Sequence, residues 1–266
     1  MINETDQQGT ANKLIEALKQ DRFIVYCQSI KAIDSVKDEG GFQEILVRFV
    51  EEEEKLLHPG GFFPVLESFK LMATLDRWVV NRVLRWSLAK NKAQKNWNIP
   101  RSSINLSIDS IVNSGFSEFV RQQLQASRLP SGKLSFEVPE PDAEACAIEL
   151  EQLIAELKPL GCSFTITGYN GESISAEMLQ ALGVSFVKID GRLVNKLHRD
   201  DTSVSRVSDI HRSCQTIGIR TIGELVELPE TLQKLKELGV NYAQGYGISK
   251  PGPLGYRKED KRGRVS

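Results

Sequence analysis

The 266-residue sequence is poor in cysteine and histidine, balanced in charge and free of long apolar runs, and each lack closes off a class of function. Its four cysteines, Cys27, Cys146, Cys162 and Cys214, form no close pair, which argues against a disulfide framework or a zinc site and predicts reduced thiols. The three histidines, His58, His198 and His211, have no second histidine or cysteine nearby in sequence and read as surface residues rather than metal ligands. Lys and Arg total 34 against 35 Asp and Glu, a formal charge of −1, so no global basic field gathers DNA or anionic lipid. An anionic ligand must therefore be met by local groups. No apolar run approaches the ~18 residues of a membrane span, and the first ten residues are polar rather than signal-like, so the chain reads as soluble and cytoplasmic. Also missing are a Gly-rich loop followed by Lys and Ser or Thr, and a serine flanked by glycines on a strand-to-helix turn. These absences speak against a nucleoside-triphosphate loop and a hydrolase elbow.

What is present is a globular composition, 40% hydrophobic and 26% charged, arranged as short β-branched or aromatic runs alternating with longer amphipathic segments. Eight strands are expected, at Phe23–Gln28, Ile45–Phe49, Ser103–Ser107, Leu134–Val138, Ser163–Thr167, Phe186–Ile189, Arg220–Gly223 and Tyr242–Gln244. Helices are punctuated between them. Pro229 suits a first helical turn and Gly239 a left-handed stop, Asp142 reads as an N-cap, and Leu75, Trp78, Val79, Arg82 and Trp86 share one helical face, the tryptophans as packing residues. Eight strand–helix units point to a closed parallel (β/α)8 barrel. The link from Ile30 to Glu44 is polar and Gly-rich and lacks a convincing crossover helix, so the first two strands could run antiparallel. The organisation expected is a polar tail over 1–9, one barrel domain over 10–255 and a charged tail over 256–266. The acidic run Glu51–Glu54 reads as a solvated face.

In such a barrel the chemistry sits where the strands end, and there the polar residues are numerous. Glu44 and Arg48 bracket apolar residues at the second strand, Asn105 falls in the third, Glu137 in the fourth, Lys188 and Asp190 flank Ile189, and Glu224 follows Gly223. Converging on one rim, they would form an oxygen-rich pocket suited to Mg²⁺ or Mn²⁺, with a lysine and an arginine to meet a phosphate.

The run Glu44-Ile45-Leu46-Val47-Arg48 resembles the signature of the EAL domain, a family that hydrolyses the bacterial second messenger cyclic di-GMP. The resemblance extends from about Leu14 to Leu254 through Tyr26-Cys27-Gln28, Leu75-Asp76-Arg77-Trp78, Ile104-Asn105-Leu106-Ser107, Phe136-Glu137-Val138, Val187-Lys188-Ile189-Asp190, Glu224-Leu225-Val226-Glu227 and Gln244-Gly245-Tyr246. It implies a modified TIM-like (β/α)8 barrel with one antiparallel strand, and a pair of Mg²⁺ or Mn²⁺ ions activating water against a phosphodiester bond. By the same resemblance Glu44, Asn105, Glu137 and Glu224 face metal, Lys188 orients or activates the water, Asp190 helps complete the metal site, and Gln28, Arg48 and Gln244 touch the nucleotide. A homodimer is the family's habit.

The chain departs from that pattern at one place. Where the family carries two metal-holding aspartates after the fifth strand, the sequence reads Thr167-Gly168-Tyr169-Asn170, and the following loop, Gly171-Glu172-Ser173, differs as well. Two divalent ions stay side by side only if anionic ligands offset their repulsion, and Thr167 and Gly168 bring none. Removing ~4 kcal/mol of transition-state stabilisation slows a reaction roughly a thousandfold. Glu172 is an unfavourable substitute because its loop is shaped differently. The expectation is a degenerate member with an incomplete metal site, acting as a cyclic di-GMP receptor or as a regulator of an unnamed protein partner; the alternative is a slow metal-dependent phosphodiesterase.

Overall fold

The computed structural model describes residues 4–20, 22–33, 41–50, 56–57, 59–94 and 97–254. Each of the eight expected strands forms: β1 (Phe23–Ala32), β2 (Phe42–Val50), β4 (Arg101–Asn105), β5 (Leu134–Pro139), β6 (Ser163–Tyr169), β7 (Phe186–Ile189), β8 (Arg220–Gly223) and β9 (Tyr242–Ala243). Two dipeptide strands pair at the margins, β3 (Leu56–Leu57) on β2 and β10 (Gly252–Pro253) on β1. From β2 through β4 to β9 the neighbours are parallel, and β1 closes the ring antiparallel to both β2 and β9. The missing crossover between the first two strands thus has its consequence: a direct connection can only join antiparallel neighbours.

Helices cover the outside: α1 (Glu4–Lys19), α2 (Phe63–Ser68), α3 (Met72–Ala93), α4 (Ile108–Ile111), α5 (Phe116–Ser127), α6 (Glu140–Ala145), α7 (Ala147–Leu157), α8 (Ala176–Leu182), α9 (Gly191–Val194), α10 (Asp201–Thr216) and α11 (Pro229–Glu237). Leu75, Val79, Val80 and Val83 of α3 enter the core with Leu150, Leu153, Ile154 and Leu157 of α7, burying the apolar stripes that the 3.6-residue period lays out. Helix α11 opens on Pro229, and Gly239 stands just past it at φ +79°. The tryptophans pack, Trp86 edge-on to Trp97 at 5.2 Å and Trp78 against Phe23 at 5.9 Å.

Three expectations need correction. Asp142 lies inside α6 rather than capping the next helix, whose N-cap position is taken by Cys146. His211 is buried on the inner face of α10 with Nδ1 2.7 Å from Thr221 Oγ1, because it falls in the apolar stripe of Val207, Ile210 and Cys214; His198 is exposed. Helix α1 begins at Glu4, inside the segment read as a tail. Residues 1–3, the acidic run 51–54, His58 and the tail 256–266 lie outside the described residues.

Inward-facing side chains fill the barrel in layers. The floor is apolar: Ile30, Phe42, Phe186, Ile222 and Tyr242 pack together, with the Arg101 and Arg220 guanidinium groups over the Phe186 ring at 5.2 and 4.3 Å. On this plug stand the polar residues of the mouth. The strand period sets them there, since Phe42 and Glu44, two residues apart, share one face of β2, as do Phe186 and Lys188 on β7.

Candidate functional site

Lys188 is the centre of the mouth. Its side chain is wholly buried, and Nζ lies 2.6 Å from Glu137 Oε2, 2.8 Å from Glu44 Oε2 and 3.9 Å from Glu224 Oε1. Burial alone would lower the lysine pKa, but Glu137, Glu44 and Glu224 outweigh it and hold the ammonium well above the ordinary range. It is therefore a fixed cation. Glu44 is raised by burial and lowered by more through the charge and hydrogen bond of Lys188 and the hydrogen bonds from Asn105 and Gln244, so it stays ionised. Glu137 is pushed up to about 7, first by burial and then by the charge of Glu44, against the pull of Lys188. Glu224 also reaches about 7, mainly by burial, although Lys188 and the backbone N–H of Gly168 act the other way.

Amides complete the network. Asn105 Nδ2 donates to Glu44 Oε1 at 2.9 Å, and Gln244 Nε2 donates to Glu44 Oε2 at 2.6 Å and to Gln28 Oε1 at 3.0 Å. Gln28 in turn donates to the Ser249 carbonyl at 2.8 Å. Glu44, Asn105, Glu137, Lys188, Glu224, Gln28 and Gln244, dispersed over 217 positions of sequence, thus form one connected cluster. Among the described residues, two of its buried oxygens, Glu137 Oε1 and Gln244 Oε1, have no hydrogen-bond partner. Arg48 stands apart on the rim, half-buried, over the Tyr26 ring at 5.7 Å and donating to the Val47 carbonyl.

The opposite flank is built differently. At Thr167 and Gly168 the parallel register slips: Ile166 faces Val187 and Tyr169 faces Ile189, so two residues of β6 oppose Lys188 alone. Gly168 takes φ +65°, and a Cβ built on it would meet open space. The loop beyond is firmly anchored, because buried Glu140 accepts from the backbone N–H groups of Asn170 at 3.0 Å and Ile174 at 3.1 Å. Glu172 is exposed and hydrogen-bonded to Asn170. Asp190 does not turn toward Lys188; it accepts from the Arg192 guanidinium and backbone N–H, and these contacts, overcoming its burial, lower its pKa.

Tested against a pair of divalent ions, the donors do not fit. The Glu44, Asn105 and Glu137 side offers oxygens suited to one Mg²⁺ or Mn²⁺, whereas the β6 side offers a hydroxyl and a glycine, and Asp190 is already paired. Among the described residues no group of three or more acidic, His or Cys side chains has the arrangement of a metal site.

Beside the cluster a groove of about 660 Å³ opens between β2, β4 and helices α2 and α3, walled by Leu46, Leu75 and Leu106 with Asn105 at its edge. Asp76 of α3 lines it. Its Oδ2 accepts from Ser107 N, Ser107 Oγ and Ser110 Oγ at 3.0, 2.6 and 2.7 Å, yet burial dominates and raises the carboxyl to about 6. No site role was expected for Asp76. The available signal was a carboxylate set between Leu75 and Val79 within a core stripe.

A closed barrel with one reversed strand and a carboxylate–lysine cluster at the mouth defines a class of modified (β/α)8 domains whose polar site lies where the strands end. The comparisons with known proteins fix the family. The EAL domain family matches residues 11–251, and the chain belongs to it. It is 31% identical over 244 residues to the cyclic di-GMP phosphodiesterase PdeB of Shewanella oneidensis, and 28% identical over 249 residues to PdeF of Escherichia coli, also a cyclic di-GMP phosphodiesterase. These alignments cover 92% and 94% of the chain but 28% and 32% of the relatives, so the chain spans about a third of their length. The PaMucR phosphodiesterase in complex with c-di-GMP superposes with a TM-score of 0.79 at 25% identity, over 92% of this chain and 98% of that one. The FimX EAL domain of Pseudomonas aeruginosa bound to c-di-GMP gives 0.84 at 24%, over 91% and 96%, a likeness of fold. Among the described residues no helix is long and apolar enough to cross a membrane.

Proposed function

We propose that this EAL domain binds cyclic di-GMP across the barrel mouth without useful phosphodiesterase activity and serves as a receptor that regulates a protein partner. The observation that carries the reading is the end of β6, where Thr167 and Gly168 leave the second ion no anionic seat. Binding does not need that seat. Arg48 on the rim suits a phosphate, the apolar groove suits a purine, and Asp76 Oδ1, left beside the three-bonded Oδ2, suits a guanine N–H.

Calorimetry with cyclic di-GMP, in EDTA and again in Mg²⁺, tests the receptor function: micromolar binding weakened at least tenfold by Arg48→Ala is expected, and no heat at high micromolar ligand in both buffers refutes it. A single-ion phosphodiesterase is the competing reading, favoured by the intact Glu44, Asn105, Glu137 and Lys188 cluster and by the names of the relatives. Incubation with Mn²⁺ followed by chromatography decides between them. Linear dinucleotide that forms at an enzyme-like rate and disappears in Glu44→Ala establishes the enzyme.

A further inference from the structure

Asp190 sits just past the end of β7, two residues beyond Lys188, and its carboxylate is occupied by a cation of the same chain. Arg192 Nε lies 3.1 Å from Oδ1 and 2.9 Å from Oδ2, Nη2 also donates to Oδ2, and the Arg192 backbone N–H donates to Oδ1 at 2.7 Å. The Arg192 side chain is 80% exposed, its Nη1 makes no hydrogen bond among the described residues, and the charge of Glu172, on the loop after β6, also acts on it. Because the Asp190 backbone N–H donates to the Tyr169 carbonyl at the end of β6 at 3.0 Å, the Asp190–Arg192 pair stands on the flank where Thr167 and Gly168 contribute no acid.

Without carboxylates at the end of β6, a divalent ion there would face Asp190, which Arg192 already neutralises one for one, with Glu224 drawn to Lys188 and Glu172 to Arg192. A guanidinium needs no anionic cage: it is always charged, keeps its place through the backbone and Asp190, and carries planar donors that match two phosphate oxygens. We propose that Arg192 supplies, to the phosphodiester of a bound cyclic dinucleotide, the positive charge that this half of the mouth cannot hold as a divalent ion. Binding then proceeds with metal removed. The inference rests on the receptor reading above and adds to it a residue and a metal requirement.

The test is a titration of the whole chain with cyclic di-GMP in EDTA and again in Mg²⁺, using wild type, Arg192→Lys, Arg192→Ala and the double variant Asp190→Asn with Arg192→Ala. Thermal unfolding checks that each variant is folded, as the exposure of Arg192 leads one to expect. Wild type should bind equally in both buffers, Arg192→Lys within about threefold, and Arg192→Ala about tenfold more weakly in EDTA, the loss of one charge-assisted contact. The double variant should stay as weak as Arg192→Ala. If it recovers wild-type affinity, Arg192 merely silences Asp190, and the proposal is overturned; so it is if Arg192→Ala binds normally, or if wild type binds only with Mg²⁺. Those three outcomes leave the receptor intact, whereas absence of wild-type binding in either buffer removes both.

Discussion

Glu44, Asn105 and Glu137 on one side of the barrel mouth project from β2, β4 and β5 in regular register, while on the other side β6 slips by one residue and Asp190 turns away to Arg192. The floor beneath both sides is one packed cluster, and Glu140 anchors the loop after β6 through two backbone N–H groups. One framework thus carries two flanks with different polar groups. A barrel strand keeps its place by backbone pairing and outward apolar residues, which are indifferent to the inward polar tip, so one flank of a site can lose its acids while the fold and the other flank persist.

The comparison breaks most visibly at Lys188, on which the intact side depends. Lys188→Met leaves Glu44, Glu137 and Glu224 without their shared cation, and removing one partner of a buried ionic group costs about 3–5 kcal/mol, to be measured by urea unfolding at pH 7.5. The deficit should shrink as pH falls, because Glu137 and Glu224, raised to about 7 even with Lys188 in place, take up protons and the uncompensated charge disappears. A variant as stable as wild type would falsify the picture of Lys188 as the lock of the site.

The converse experiment restores the depleted side. In Thr167→Asp with Gly168→Asp, the new side chain at 168 has open space, and its left-handed backbone, tolerated best by Asp, Asn and Gly, adds about 1 kcal/mol of strain. If the missing acids are what silences the chemistry, Mn²⁺-dependent linear product should rise by about a hundredfold, equivalent to ~2.7 kcal/mol of barrier. No gain, with Mn²⁺ demonstrably bound, would place the defect elsewhere, with the register slip the first suspect.

A smaller effect separates the groove from the cluster. Asp76 has a folded pKa of about 6, above its ordinary 3.8, so its ionisation lags in the folded chain and its contribution to stability falls as pH rises from about 4 to 6, then levels. Ligand binding runs the opposite way if the carboxylate accepts guanine N–H groups. Calorimetric affinity should climb about tenfold between pH 5 and 7, and Asp76→Asn should flatten the climb. An unchanged profile in that variant would remove Asp76 from the ligand.

These contrasts also mark what the sequence could reveal. The strands were legible because apolar runs of β-branched and aromatic residues announce buried strands, and the antiparallel β1 was legible from a link too polar to be a crossover helix. The cluster was legible as polar residues at strand ends. The slip at Thr167 and Gly168 was not, since register is a relation between two strands and neither one's pattern contains it. The Arg192 clamp was hidden for a similar reason: residues two apart meet only when the local backbone turns, as it does between β7 and α9. His211 and Asp76 were misjudged or missed because a polar residue in an apolar stripe reads as surface unless its buried partner, Thr221 or Ser107, is known.

Leu225 carries the smallest effect, and its sign is informative. It is 57% exposed, adopts φ +52°, and lies over Gly191 so closely that a Cβ there would come within 2.4 Å of Leu225 Cδ1. Leucine in the left-handed region is strained by about 1–2 kcal/mol, which exposed packing alone is a poor reason to retain. Leu225→Gly relieves that strain but gives back about 0.5–1 kcal/mol as unfolded-chain entropy, so stability should stay level or rise by about 1 kcal/mol. Cyclic di-GMP affinity should fall about fivefold if the leucine covers a base beside Glu224, the worth of roughly 1 kcal/mol of apolar burial. Stability down and affinity unchanged would mark Leu225 as packing; stability level and affinity down would place it, with Arg192, among residues that adapt the depleted flank to holding a ligand.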